Sequence, residues 1–282
     1  MQTQFSSNAS PHDWALRARR LFELSDDQAF VDVERHITLD LSLQLVRVPL
    51  PGLAGLLVLK RAPFDGTVFV QSEDPLERQR FTLAHELKHL LVDVPNGLVR
   101  EDDGVLFHSD ASETIGAGLW STVSNIETSA DQFASEFLLA QQPFTEMLDG
   151  KPMGVGLLGE VAKAFGVSVT ATATRWAMCS EGRCALLEIR EGRLYRFVVS
   201  PGLEATPKRS RWLQVKAAIS DRTRSAAWLR GELDFNLGAP TRIPAKEWLQ
   251  GAAAGQELCE EVLHVPLGDR LYALIWFPED FD

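Results

Sequence analysis

Apolar residues recur at helical spacing between 12 and 24, where Trp14, Ala15, Ala18, Leu21 and Phe22 would share one face. The pattern then shortens. Stretches near 43–49, 55–60 and 67–71 are rich in Val, Leu and Phe and are separated by Pro51-Gly52 and by Pro63-Phe64-Asp65-Gly66. Runs of that type between such breaks predict a small antiparallel sheet. A helix start follows, since Asp74 offers a cap, Pro75 suits the first helical position and Glu77 stands three residues after the cap. This helix is expected to run to about Val92, ahead of Pro95-Asn96-Gly97.

Residues 98–122 are rich in Gly, Ser and Asp and show no period, so a loop region bordering a cleft is expected there. Helices are predicted over about 125–140 and from Pro143 to about Leu148. Two more lie between 154 and 178, on either side of a break at Phe165-Gly166-Val167-Ser168. Beyond Cys179-Ser180-Glu181-Gly182 the pattern turns to strands at 184–190, 193–200, 260–266 and 270–277, with a helix near 222–230 among them. The class is therefore α+β, and the C-terminal hundred residues look like a separate α+β module.

Composition narrows the function. At 282 residues the chain exceeds the usual size of one domain, and 45% hydrophobic residues give it material for a sizeable core. Met1 to Pro11 is polar and lacks an apolar h-region, and no apolar run reaches about 18 residues, so a soluble, cytoplasmic protein without a membrane span is expected. Cys179, Cys184 and Cys259 are odd in number and outside CxxC spacing, which fits a reducing compartment and argues against a metal site built from cysteine. A net charge of −11 repels nucleic acid on average, so DNA binding would need a local basic patch. Lys208, Arg209, Arg211, Lys216, Arg222, Arg224 and Arg230 form one such run, with Asp221 the only acid between 205 and 230. A solvated face is the commoner outcome of such a run.

The chemistry lies in His85-Glu86-Leu87-Lys88-His89. Two His four apart on a helix project from one face about a turn apart, and so reach one tetrahedral metal. Glu86 sits beside the first His, where it reaches the water of the open position and is placed to act as general base. Leu83, Ala84, Leu87, Leu90 and Leu91 make this helix largely buried, so its His and Glu side chains require partners. A third ligand is needed, and Glu127 in Ile126-Glu127-Thr128-Ser129-Ala130-Asp131 is the best candidate. Asp131, four residues on, is positioned to accept the outer N–H of His85 and fix its tautomer. His108, Asp110 and Glu113 are the alternatives. Two His and a carboxylate suit Zn²⁺, and Mn²⁺ as well.

The stretch from Arg80 to His89 and the stretch Glu127-Thr128-Ser129-Ala130-Asp131-Gln132-Phe133-Ala134-Ser135-Glu136-Phe137-Leu138-Leu139 resemble the ImmA/IrrE family of metallopeptidases. The resemblance covers about residues 12–180 in organisation. It implies a zincin-like domain, His85, His89 and Glu127 as metal ligands and Glu86 as catalytic base. It also implies a substrate, an Xre-type helix-turn-helix repressor whose cleavage switches on stress-response or mobile-element genes. Lys88 departs from the Gly common between the two His, and Ala140 stands where Pro often follows. The Deinococcal IrrE branch adds a helix-turn-helix-like segment and a GAF-like sensor or docking domain, for which residues 151–181 and 182–282 have the length and pattern. Residues 157–178, however, hold only Lys163 and Arg175 as basic residues, too few for obvious phosphate contacts. The leading expectation is a regulatory metallopeptidase. The rivals are a non-proteolytic metal-binding regulator of DNA and a toxin–antitoxin partner.

Overall fold

The first helix, α1 (Pro11–Leu21), is started by its own side chains. Ser10 accepts from the Asp13 amide, the Asp13 carboxylate accepts from the Ser10 amide, and Pro11 opens the helix. The computed structural model describes residues 5–59, 66–98, 105–110, 125–207, 213–233, 240–264 and 270–281. The chain is mixed α+β and divides into two units, Met1–Met147 with Ala162–Ser168, and Leu148–Val161 with Val169–Asp282.

In the first unit a short α2 (Val33–Arg35) runs into a π turn at His36–Asp40 and then into the sheet. Strands β1 (Gln44–Val48), β2 (Leu53–Leu59), β3 (Gly66–Gln71) and β4 (Val105–Asp110) stand in the order β1-β3-β2-β4. The expected antiparallel sheet is in fact mixed, because β1 pairs with β3 in parallel while β2 is antiparallel to both β3 and β4. The link from Pro49 to Gly52 opens across two strand spacings, about 10 Å, so that β3 inserts between β1 and β2.

Helix α3 (Leu76–Lys88) carries His85 and Glu86, and continues as a π turn over His89–Asp93 that begins with the second His and closes with Val94 N–H on the His89 carbonyl at 3.0 Å. Asp74 does not cap it. Pro75 takes the cap position in extended conformation without a side-chain bond, and Asp74 pairs with Arg78 Nε at 3.0 Å. One side of α3 lies on β2 and β3. The other meets α4 (Asn125–Leu138), which α1 covers in turn. Phe133 and Phe137 stack at 5.6 Å inside α4's buried face, and buried Arg19 of α1 donates to the Phe137 carbonyl at 3.1 Å.

Helix α5 (Gln141–Leu148) follows, then α6 (Val155–Phe165) and α7 (Val169–Cys179), which meet at 107°. The predicted break between them is real. Gly166 holds φ +63°, a left-handed turn that glycine adopts without strain.

The second unit is built on an antiparallel sheet in the order β6-β5-β9-β8-β7. Its strands are β5 (Cys184–Arg190), β6 (Arg193–Val199), β7 (Thr241–Pro244), β8 (Glu257–His264) and β9 (Leu271–Trp276). Strands β5 and β9 are buried on both faces, which accounts for their unbroken apolar runs. One face packs into a core of Leu187, Ile189, Leu249, Leu258 and Ile275. Helix α7 lies on β5 and β6, with Trp176 edge-on to Trp276 at 6.3 Å. Short helices α8 (Pro201–Glu204) and α9 (Arg224–Leu229) complete the unit. The amides that open α9, on Arg224 and Ser225, donate to buried Glu260 at 2.9 Å. Strand β7 was not expected from the sequence. Among the described residues no single helix is long and apolar enough to cross a membrane.

Candidate metal centre

Helical spacing does the first part of the assembly. His85 and His89 leave the same face of α3 one turn apart, and their Nε2 atoms stand 3.0 Å from each other. The first turn of α4 brings Glu127 to the same point, with Oε2 3.2 Å from His85 Nε2 and Oε1 3.7 Å from His89 Nε2. A tetrahedral ion with bonds of about 2.0–2.1 Å has ligand-to-ligand edges of about 3.3–3.4 Å. The three separations bracket that value, so the donor set fits a metal of this geometry. It is also the one cluster of at least three such residues that could hold an ion among the described residues. His85 and His89 are buried, while the Glu127 side chain is 31% exposed and forms the open side.

Asp131 is one turn beyond Glu127 on α4, and its Oδ1 lies 2.9 Å from His85 Nδ1. His85 is thus fixed at both nitrogens. Burial works against its imidazolium, but hydrogen bonds to Asp131 and Glu127, with the charges of Asp131 and Glu86, outweigh that and raise its pKa to about 10. The reciprocal effect acts on Glu127. Burial pushes its pKa up, yet the bond to His85 and the charges of His89, His85 and Lys88 bring it below the usual carboxylate value.

Glu86 is 1% exposed, and its charge is among those that act on His85. Strand β2 comes unusually close to it. A Cβ built on Gly55 would stand 2.4 Å from Thr82 Cγ2 and 3.1 Å from Glu86 Oε1. Glycine is the residue that permits such an approach inside a strand. Gly55 escaped the sequence reading, and so did Asp93, whose Oδ2 lies 2.6 Å from His89 Nδ1. An acid four residues after a His was the available signal for Asp93.

Of the alternative ligands, His108 and Asp110 fall on β4, where only the backbone is described, and Glu113 lies outside the described residues. Of the basic run, Lys208, Arg209 and Arg211 also lie outside the described residues, Arg222 is 3.8 Å from Glu247, and Arg230 pairs with Glu232 at 2.6 Å.

Comparison with known proteins bears on the same segment. Residues 49–177, which span α3 and α4, match the family model Peptidase_M78, the IrrE N-terminal-like domain. These residues belong to the ImmA/IrrE-type family. The His85, His89 and Glu127 cluster of this IrrE-like domain is what a metallopeptidase family would require of it. A solved structure described as a Mycobacterium tuberculosis transcriptional regulator is similar in fold, with a TM-score of 0.55 at 11% identity, over 96% of this chain and 76% of that one. No curated protein matches the chain.

Proposed function

We propose that the chain is a metal-dependent regulatory endopeptidase that cleaves an Xre-type helix-turn-helix repressor and so derepresses stress-response or mobile-element genes. The observation that carries this reading is the convergence of His85, His89 and Glu127 with Glu86 beside them on the same helix. The donor set suits Zn²⁺ first and Mn²⁺ second. When bound, the ion supplies Lewis-acid polarisation of the scissile carbonyl and of the attacking water. His85, His89 and Glu127 hold it, and Asp131 fixes the imidazole of His85 through Nδ1. The Glu86 carboxylate takes the proton from the water and delivers it to the leaving amine. Its near-complete burial keeps bulk water from competing for that proton.

Around this chemistry we read residues 1–150 as a zincin-like domain, 151–181 as a helix-turn-helix-like segment and 182–282 as a GAF-like sensor or docking domain of a cytoplasmic protein. The angle of 107° between α6 and α7 lies in the helix-turn-helix range. The second helix is nonetheless unsuited to a DNA groove, because Ala171 through Ala177 are all buried. The regulatory part of the reading is supported by the similar solved structure, a Mycobacterium tuberculosis transcriptional regulator.

The test is direct. Zinc-loaded full-length chain and its Glu86→Gln variant are incubated with the Xre-type repressor encoded beside it. Cleavage by the wild type alone is the expected result. Intact repressor with both forms, together with a specific DNA shift by the chain, would replace the peptidase with a DNA-binding regulator.

A further inference from the structure

Lys88, the residue that stands where the resembling family commonly has Gly, is among the largest fully buried side chains, at 1% exposure. Its ammonium donates to Asp93 Oδ1 and Oδ2 at 2.9 and 2.8 Å and to the Ile126 carbonyl at 3.1 Å, and it stands 5.5 Å from the centre of the Trp14 ring. Two of these neighbours lead directly to the ligand cluster. Asp93 Oδ2 faces His89 Nδ1, and Ile126 is the residue that precedes Glu127. One side chain therefore grips the carboxylate behind one His and the peptide that leads into the carboxylate opposite.

The local backbone makes this possible. At 3.6 residues per turn, a residue five positions on lies about 140° round the helix and faces away. The π turn at His89–Asp93 widens that last turn, so Asp93 comes back over both Lys88, five residues earlier, and His89, four residues earlier. Stability alone is a poor reason to keep such an ion pair. Removing two charges from water offsets most of their attraction, and apolar residues of similar volume often serve as well. An orienting role explains what bulk does not.

We propose that Lys88 is a positioning residue for the metal centre, acting through Asp93 on His89 and through the Ile126 carbonyl on Glu127, so that the ligands are in register before an ion arrives. This rests on the reading of His85, His89 and Glu127 as metal ligands. The experiment measures the zinc dissociation constant of the full-length chain by competition with a chelating indicator, for the wild type, Lys88→Met, Asp93→Asn and the double variant. Circular dichroism of each checks the fold. Each single variant is expected to bind zinc roughly 10- to 100-fold more weakly. The double variant should lose clearly less than the product of the two, because the residues act in one chain of contacts. In the metal-free chain, the ring ¹⁵N shifts of His89 should change in Lys88→Met, a readout that mere packing would leave alone.

A folded Lys88→Met that binds zinc within about twofold of the wild type, or losses that multiply in full, would overturn the proposal. If Lys88→Met does not fold, Lys88→Gln, of nearly equal reach but uncharged, is expected to shift zinc affinity in the same direction, and unchanged affinity there overturns the proposal equally. A wild type that binds zinc no better than His85→Ala is a different result. It removes the metal site itself, and the role of Lys88 with it.

Discussion

At the scale of single residues, His85 sets the behaviour of the metal-free chain. Its folded pKa of about 10 lies above the ordinary histidine value of 6.5. A group raised on folding stabilises fully below its unfolded pKa, and that contribution is lost as pH rises through the folded one. The metal-free chain should thus keep this contribution at pH 6 and lose it between about pH 6.5 and 10. Thermal unfolding in chelator across that range, beside a His85→Gln variant, measures it. A difference between the two proteins that fails to shrink with rising pH would contradict the assignment. Glu86 behaves differently, since it is not one of the three residues of the ligand cluster. Glu86→Gln should lower the cleavage rate by roughly 10²–10⁴-fold while zinc affinity stays near that of the wild type. Glu127 and Asp131 were legible because two carboxylates four apart on an α-helix share a face and point toward one neighbour. The pairing of Lys88 with Asp93 was not, because a spacing of five reads as opposite faces until the turn is known to be π.

At the scale of elements, α3 is held to the sheet where β2 has no side chain to keep it away. Gly55→Ala would press on Thr82 and Glu86 and would leave His85, His89 and Glu127 untouched. Overpacking of this kind costs about 1–3 kcal/mol of stability, and a displaced Glu86 costs rate. The expected outcome is a cleavage rate at least about tenfold lower, equivalent to about 1.4 kcal/mol of barrier, with zinc affinity within about twofold. A loss of zinc affinity as large as the loss of rate would show that the strand supports the ligands too. The break between α6 and α7 rests on Gly166, where an added Cβ would come within 2.9 Å of Phe30 and take up a left-handed φ. Gly166→Ala should therefore destabilise the chain by about 1–2 kcal/mol, read as a lowered denaturant midpoint. Helices α1 and α3 through α7 were legible from periodicity and breakers. The parallel pairing of β1 with β3 was hidden, because alternation shows which face a residue takes and not which strand lies beside it. Strand β7 was hidden for another reason. Thr241-Arg242-Ile243-Pro244 has a single buried residue and ends on proline, so it has almost no strand signature of its own.

For the molecule as a whole, the division into two units separates the ligand cluster from the five-stranded sheet. Zinc at 100 times its dissociation constant stabilises what binds it by about 2.7 kcal/mol. That increment should concentrate on α3 and α4. Hydrogen exchange with and without zinc is expected to show added protection there and little change in β5, β8 and β9. Protection spread evenly over both units would mean that the units open together. The units divide mainly at Met147–Leu148, whereas the change from helical to strand period in the sequence falls near residue 180. What the second unit recognises was not legible, since its buried acids, Glu188 and Glu260, are taken up by Arg190 and by the start of α9. The proton on His85 also reaches beyond its own helix. At neutral pH the metal-free centre already holds one positive charge among its ligands, so taking up a divalent ion is a cation exchange that expels about one proton. Calorimetry in two buffers of different ionisation enthalpy would count that proton. Acid and metal then compete for one nitrogen, and a fall in pH would empty the centre as effectively as a shortage of the ion.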